Sequence, residues 1–156
     1  ISNIEGLFDD KNDFRYTLCW KVDPDVFTGE PQNVTTYKYK AYNNNWIPQI
    51  RLAEMYFIVM EATSSTTEAN GLFSEYASSR GIATADLSSN KLRTLTKEFN
   101  KEFYAEGQMF FFYKRKAMQK IPNGKWEKDS ESQTINMNMN NYVVPLPDSE
   151  INMRLN

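Results

Sequence analysis

Between Trp46 and Ala62 the chain reads Trp-Ile-Pro-Gln-Ile-Arg-Leu-Ala-Glu-Met-Tyr-Phe-Ile-Val-Met-Glu-Ala. This stretch most restricts what the chain can become. Pro48 suits a first helical turn, whose N–H groups lack intrahelical partners anyway. From Ile50 onward only Arg51, Glu54 and Glu61 are charged, at successive offsets of three and seven, so they share one narrow stripe. The rest of the surface is apolar, and a helix apolar on most sides needs cover on most sides. It is too short and too charged to span a bilayer, which takes about 20 apolar residues. The expectation is a central buried helix with the other elements packed around it.

Upstream, Asp13 to Val22 is rich in strand formers with a muddled period, and Val34 to Tyr42 alternates in places. Both read as short strands, separated by the breakers Pro24, Gly29 and Pro31. Downstream, Ser65 followed by Glu68 has capping-box spacing. Ala69, Leu72, Phe73, Tyr76 and Ala77 then mark one face of a second helix over about Thr67 to Arg80. Gly81 fits its left-handed C′ position. The two helices form an antiparallel hairpin close to the length of a tetratricopeptide repeat. Ser88 or Ser89 caps a third helix with Leu92, Leu95, Phe99 and Phe103 inward, ended by Gly107. A fourth runs over about Gln108 to Gln119, and two hairpins in succession suggest a short helical stack. Pro122-Asn123-Gly124 is a turn, residues 130–141 a loop or edge strand, and Tyr142 to Pro147 extended. The fold class expected is therefore mainly α: tetratricopeptide-like hairpins with a few short strands and long loops, in a single domain over residues 1–156.

Charge and composition narrow the function. Lysine plus arginine number 18 against 20 acidic residues, for a net charge of -2, which gives no general push toward nucleic acid. Cys19 is the one cysteine and there is no histidine, so an internal disulfide, Ser-His-Asp or Cys-His catalysis and histidine-rich metal sites are excluded. Glu98, Glu102 and Glu106, spaced i, i+4, i+8, could form an acid/base or metal cluster. Interleaved with Lys97 and Lys101, they read instead as a solvated face. A single stripe also lacks the opposed carboxylates that glycoside hydrolysis uses. No catalytic residue, metal ligand or cofactor is expected. Lys114, Arg115, Lys116 and Lys120 fall at a helix C-terminus, where cations are favoured locally. In Phe110 to Tyr113 four consecutive aromatics cannot all face one core, so Phe112 and Tyr113 are candidates for a partner interface. Trp126, on a loop after Asn123-Gly124-Lys125, is the first candidate for stacking on a ligand, with Trp20 and Trp46 behind it.

Several stretches resemble the SusD/RagB family of Bacteroidetes outer-membrane nutrient-binding lipoproteins. Asp13-x-Arg15 and Ile50 to Tyr56 look like the entry to the family's C-terminal region. Glu98, Glu102, Glu106 and Gly107 fit the acidic pattern before its Arg-Phe-Phe-Asp-Leu-Lys-Arg segment, here Met109 to Arg115. Tyr142 to Ile151 is similar to its closing Leu-Pro-Ile-Pro-x-Ser-Glu-Ile. Phe112 replaces the usual Asp, Lys116 a frequent Trp and Phe99 an Arg, and the Asn-Pro-Gly-Tyr tail is missing, as in a divergent member. The resemblance implies that this chain, which opens on Ile1 rather than Met, is a piece of a longer one. It implies a lipid anchor on an N-terminal cysteine outside this segment and display on the extracellular face of the outer membrane. It implies partnership with a SusC-like TonB-dependent transporter and capture of a glycan or other nutrient without catalysis. The alternative is a helical-repeat docking module for proteins, with no glycan role.

Overall fold

The computed structural model describes residues 7–24, 26–29, 31–38, 50–83, 86–87, 89–122, 134–147 and 150. Helix predominates, with two small antiparallel sheets, so the mainly α expectation holds. The chain divides into two compact units, Ile1–Tyr104 and Ala105–Asn156.

The first unit opens with a correction. Phe14–Cys19, expected as strand, is a helix, α1. Asp13 caps it, its carboxylate accepting from the Arg15 N–H at 2.9 Å. The Phe14 N–H donates to the Arg80 carbonyl at 2.8 Å. These fixed partners outweigh the weak strand preference of Phe, Tyr and Thr. Strand β1, Trp20–Pro24, follows directly and pairs antiparallel with β2, Pro31–Thr36, with Trp20 opposite Thr36. The second expected strand ends early: Tyr37 and Lys38 follow β2 outside the strand, and residues 39–42 lie outside the described residues.

Helix α2 spans Leu52–Ala62, shorter than the expected stretch, whose start at Trp46 and Pro48 lies outside the described residues. It is not covered on most sides. Ala53, Phe57 and Met60 are buried, whereas Leu52, Met55, Ile58 and Val59 are exposed by 72%, 41%, 48% and 43%. Three residues link it to α3, Thr66–Ser78, which Ser65 caps by accepting from the Glu68 N–H at 3.2 Å. Contacts across the pair run in opposite directions: Thr63 with Glu68, Phe57 with Tyr76, and Tyr56 with Glu75. This is the expected hairpin. Helix α4, Lys91–Glu102, packs on α2. Its cap is Asn90 rather than either serine, and Leu92, expected inward, is 45% exposed. Phe57 is the hub of the core, 5.2 Å from the Tyr76 ring, 5.3 Å from Phe99 and 5.9 Å from Phe103.

In the second unit Gly107, with φ 72°, starts a helix instead of ending one: it caps α5, Gln108–Arg115. Strand β3, Lys120–Pro122, pairs antiparallel with β4, Thr134–Asn136, so part of the 130–141 segment, expected as loop or edge strand, is strand. A 3₁₀ turn, Met139–Tyr142, buries Tyr142. Its ring lies 5.8 Å from Phe110, and its hydroxyl donates to the Met118 carbonyl at 2.7 Å.

Gly81 closes α3 in a Schellman turn, with Ile82 N–H on the Ala77 carbonyl and Gly81 N–H on that of Ser78. Its φ is +74°, and a Cβ there would stand 2.7 Å from Phe14 Cε1 and 2.9 Å from the Asn12 carbonyl oxygen. Gly81→Ala is therefore expected to lower stability by about 1–3 kcal/mol in urea unfolding. An unchanged midpoint would show that α1 does not abut this turn tightly.

Candidate functional site

The charged side chains of α4 do not form a solvated face. Glu98, Lys101 and Glu102 are buried: Glu98 and Glu102 because they adjoin Leu95 and Phe99 on the helix, Lys101 because it lies over the Phe8 ring. Burying an ion costs several kcal/mol unless it is paired and hydrogen-bonded. Each of these three is paired.

Glu102 is the focus. Its Oε1 accepts from Arg51 Nη1 at 2.8 Å and Arg80 Nη2 at 3.0 Å. Its Oε2 accepts from Arg80 Nε and the Tyr76 hydroxyl, each at 3.0 Å, and Arg15 Nη1 lies at 3.5 Å. Arg15 Nη1 donates to the Tyr76 oxygen at 2.6 Å, and its Nη2 bridges Glu98 at 2.7 Å and Asp13 at 2.6 Å. Lys101 donates to Glu98 at 2.6 Å and to Asp9, at the surface, at 3.1 Å. The backbone end of α4 is closed the same way: the Glu102 carbonyl accepts from Lys38 Nζ at 2.6 Å and Arg51 Nη2 at 2.9 Å. Cations at a helix C-terminus satisfy its orphan carbonyls and complement its dipole. Arg51 also stacks over Phe103, and Arg80 over Tyr76.

The network thus joins α1, the start of α2, the end of α3 and the end of α4. Burial by itself would push the Glu102 carboxyl up. The Arg80 hydrogen bond and the charges of Arg80, Arg51 and Arg15 outweigh it and hold the group down to about 2. Burial pushes the Tyr76 phenol well up. Both groups thus keep one protonation state near neutral pH, and their hydrogen bonds clamp the four segments together. Among the described residues no group of three or more His, Cys, Asp or Glu could hold a metal ion.

A cleft of about 330 Å³ opens beside the clamp between α2 and α3, with Tyr56, Glu75, Ser79 and Arg80 among its walls. At its rim the Tyr56 hydroxyl donates to Glu75 Oε1 at 2.6 Å.

Of the three tryptophans singled out for ligand stacking, Trp46 and Trp126 lie outside the described residues. Trp20 is half-buried, edge-on to Tyr104 at 4.7 Å. Of the two interface candidates, Phe112 is fully buried and Tyr113 half-buried, and the ring of that run facing outward is Phe111, 60% exposed. Glu106 falls beyond the end of α4, so the three-carboxylate stripe stops at Glu102. Arg80 and Tyr76 went unrecognised as polar partners. Their signal was the placement of Glu98 and Glu102 on the apolar face of α4, which demands buried cations. Comparison with protein-family models, curated proteins and solved structures finds no match.

The depressed Glu102 carboxyl fixes a pH dependence. Its folded value lies below the ordinary 4.5, so its stabilisation is complete above that pH and is lost as pH falls toward 2. The loss attached to this group is about 3 kcal/mol. Glu102→Gln should be less stable at pH 7 by about 3–5 kcal/mol, since it strands buried guanidinium groups. Its urea midpoint should also fall less steeply than the wild type's between pH 4.5 and 2.

Proposed function

We propose that this chain is the C-terminal region of a SusD/RagB-like nutrient-capture lipoprotein with tetratricopeptide-like helix packing. On this reading it belongs to a longer parent, anchored by lipid at the outer membrane, that binds a glycan or other nutrient without catalysis. It works beside a SusC-like TonB-dependent transporter. The observation that supports the reading is where its motif residues lie. Asp13 and Arg15, Arg51, and Glu98 and Glu102 come from three separate motif stretches and meet in one buried network. In the second unit Phe110 and Tyr142, from the two remaining stretches, pack together. A framework that depends on these contacts would keep such motifs while its surface diverged. No helix among the described residues is long and apolar enough to cross a membrane, and a lipid anchor needs none.

The second reading, a docking module for proteins, is favoured by the apolar stripe left open on α2 at Leu52, Met55 and Val59. Glycan binding separates the two. With soluble oligosaccharides as probes, the glycan-capture reading expects retention by the wild type. Reduced retention by Trp126→Ala at an unchanged circular dichroism spectrum would add Trp126 to the site. Equal retention would remove Trp126 from the site, and no retention of any glycan by the wild type would favour docking.

A further inference from the structure

The cleft between α2 and α3 carries a combination of groups that the clamp does not use up. Arg80 is one of the residues that line it. Its Nε and Nη2 are fixed on Glu102 at 3.0 Å, and its Nη1 donates to Ser79 Oγ at 3.1 Å. Each Nη carries a second N–H, so the fixed guanidinium retains hydrogen-bonding capacity beyond these contacts. At the rim Glu75 is exposed and gives one oxygen to Tyr56, leaving the other as an acceptor. The Tyr56 ring, with Leu52 and Ala53, forms an apolar wall.

The charged residues that line the cleft, Arg51 and Arg80 against Glu75 and Glu102, balance two against two, so what Arg80 offers the cleft is N–H donors rather than unbalanced charge. The Glu75 carboxylate repels a second anion. A donor, an acceptor and an aromatic face, in a cleft at the small end of ligand-pocket size, suit an uncharged ring bearing adjacent hydroxyls. Because Glu102 holds the guanidinium in place, little ordering cost remains on binding.

From this juxtaposition of Tyr56, Glu75, Ser79 and Arg80 we infer that the cleft binds one pyranose unit of a neutral oligosaccharide. The choice of a saccharide chain rests on the glycan-capture reading; the site rests on the cleft's own geometry.

The test uses the intact chain with maltohexaose, xylohexaose and cellohexaose, and with digalacturonate and a glycyl-leucine dipeptide as charged controls. Amide shift changes in the wild type locate binding without any substitution. Binding of one neutral hexaose is expected, with shifts centred on α2 and α3 around Tyr56 and Ser79. Tyr56→Ala and Glu75→Ala, both outside the buried clamp, should each weaken it about tenfold at unchanged melting temperature. Binding of a hexaose with shifts elsewhere, undiminished in both variants, would overturn this site while leaving glycan capture intact. Binding of only the charged controls at the cleft would overturn the ligand class, and no binding at all would overturn both.

Discussion

One carboxylate surrounded by three guanidinium groups holds the first unit in register. Glu102 is 3% exposed, and both of its side-chain oxygens and its backbone carbonyl are engaged. Arg15, Arg51 and Arg80 reach it from three different parts of the chain. A buried ion pair adds little stability compared with a well-packed apolar substitute, but removing one partner is severe because the other charge is left stranded. Breaking the cluster is therefore costly even where keeping it adds little net stability. Alternative packings of these helices that separate Glu102 from its cations carry that penalty in full.

The aromatic core and the clamp are two layers of one arrangement. Phe57, Phe99 and Phe103 fill the space between α2 and α4, and Tyr76 belongs to both layers. Its ring packs on Phe57, while its hydroxyl accepts a hydrogen bond from Arg15 and donates one to Glu102. Phe103 likewise carries Arg51 over its face at 4.6 Å. Aromatic surfaces lower the cost of bringing guanidinium groups indoors, since they attract the cation while excluding water. The high aromatic content of the chain, 14%, is put to this double use here.

What was legible in the sequence is what short-range physics decides. The α2–α3 hairpin, its Ser65 cap and the left-handed Gly81 follow from periodicity and capping chemistry. What was not legible depends on distant partners. The strand expected at Asp13 to Val22 became largely helix because Phe14 bonds the Arg80 carbonyl and Arg15 is drawn to Glu98, contacts a local pattern does not contain. By charge alone the acidic stripe of α4 reads as a solvated face, whereas its register with Leu95, Phe99 and Phe103 places Glu98 and Glu102 inward. Helix α2 failed the other way. Its apolar residues outnumber the face that α3 and α4 cover, so Leu52 and its neighbours stay exposed. Of the tryptophans that mark candidate ligand contacts in the sequence, Trp46 and Trp126 lie outside the described residues, and the cleft beside the clamp is lined by Tyr56, Glu75 and Arg80, which carry no such compositional flag.

The most direct test of the clamp is a double-mutant cycle on Arg15 and Glu98, which join α1 to α4 across 83 positions of sequence. Arg15→Met and Glu98→Gln keep side-chain volume while removing the charges, and urea unfolding of the four proteins at pH 7 gives the coupling. Each single change should cost about 3–5 kcal/mol, with the pair costing less than their sum by about 2 kcal/mol or more. Additive effects within about 0.5 kcal/mol would contradict the claim that this buried network fixes the arrangement of the helices.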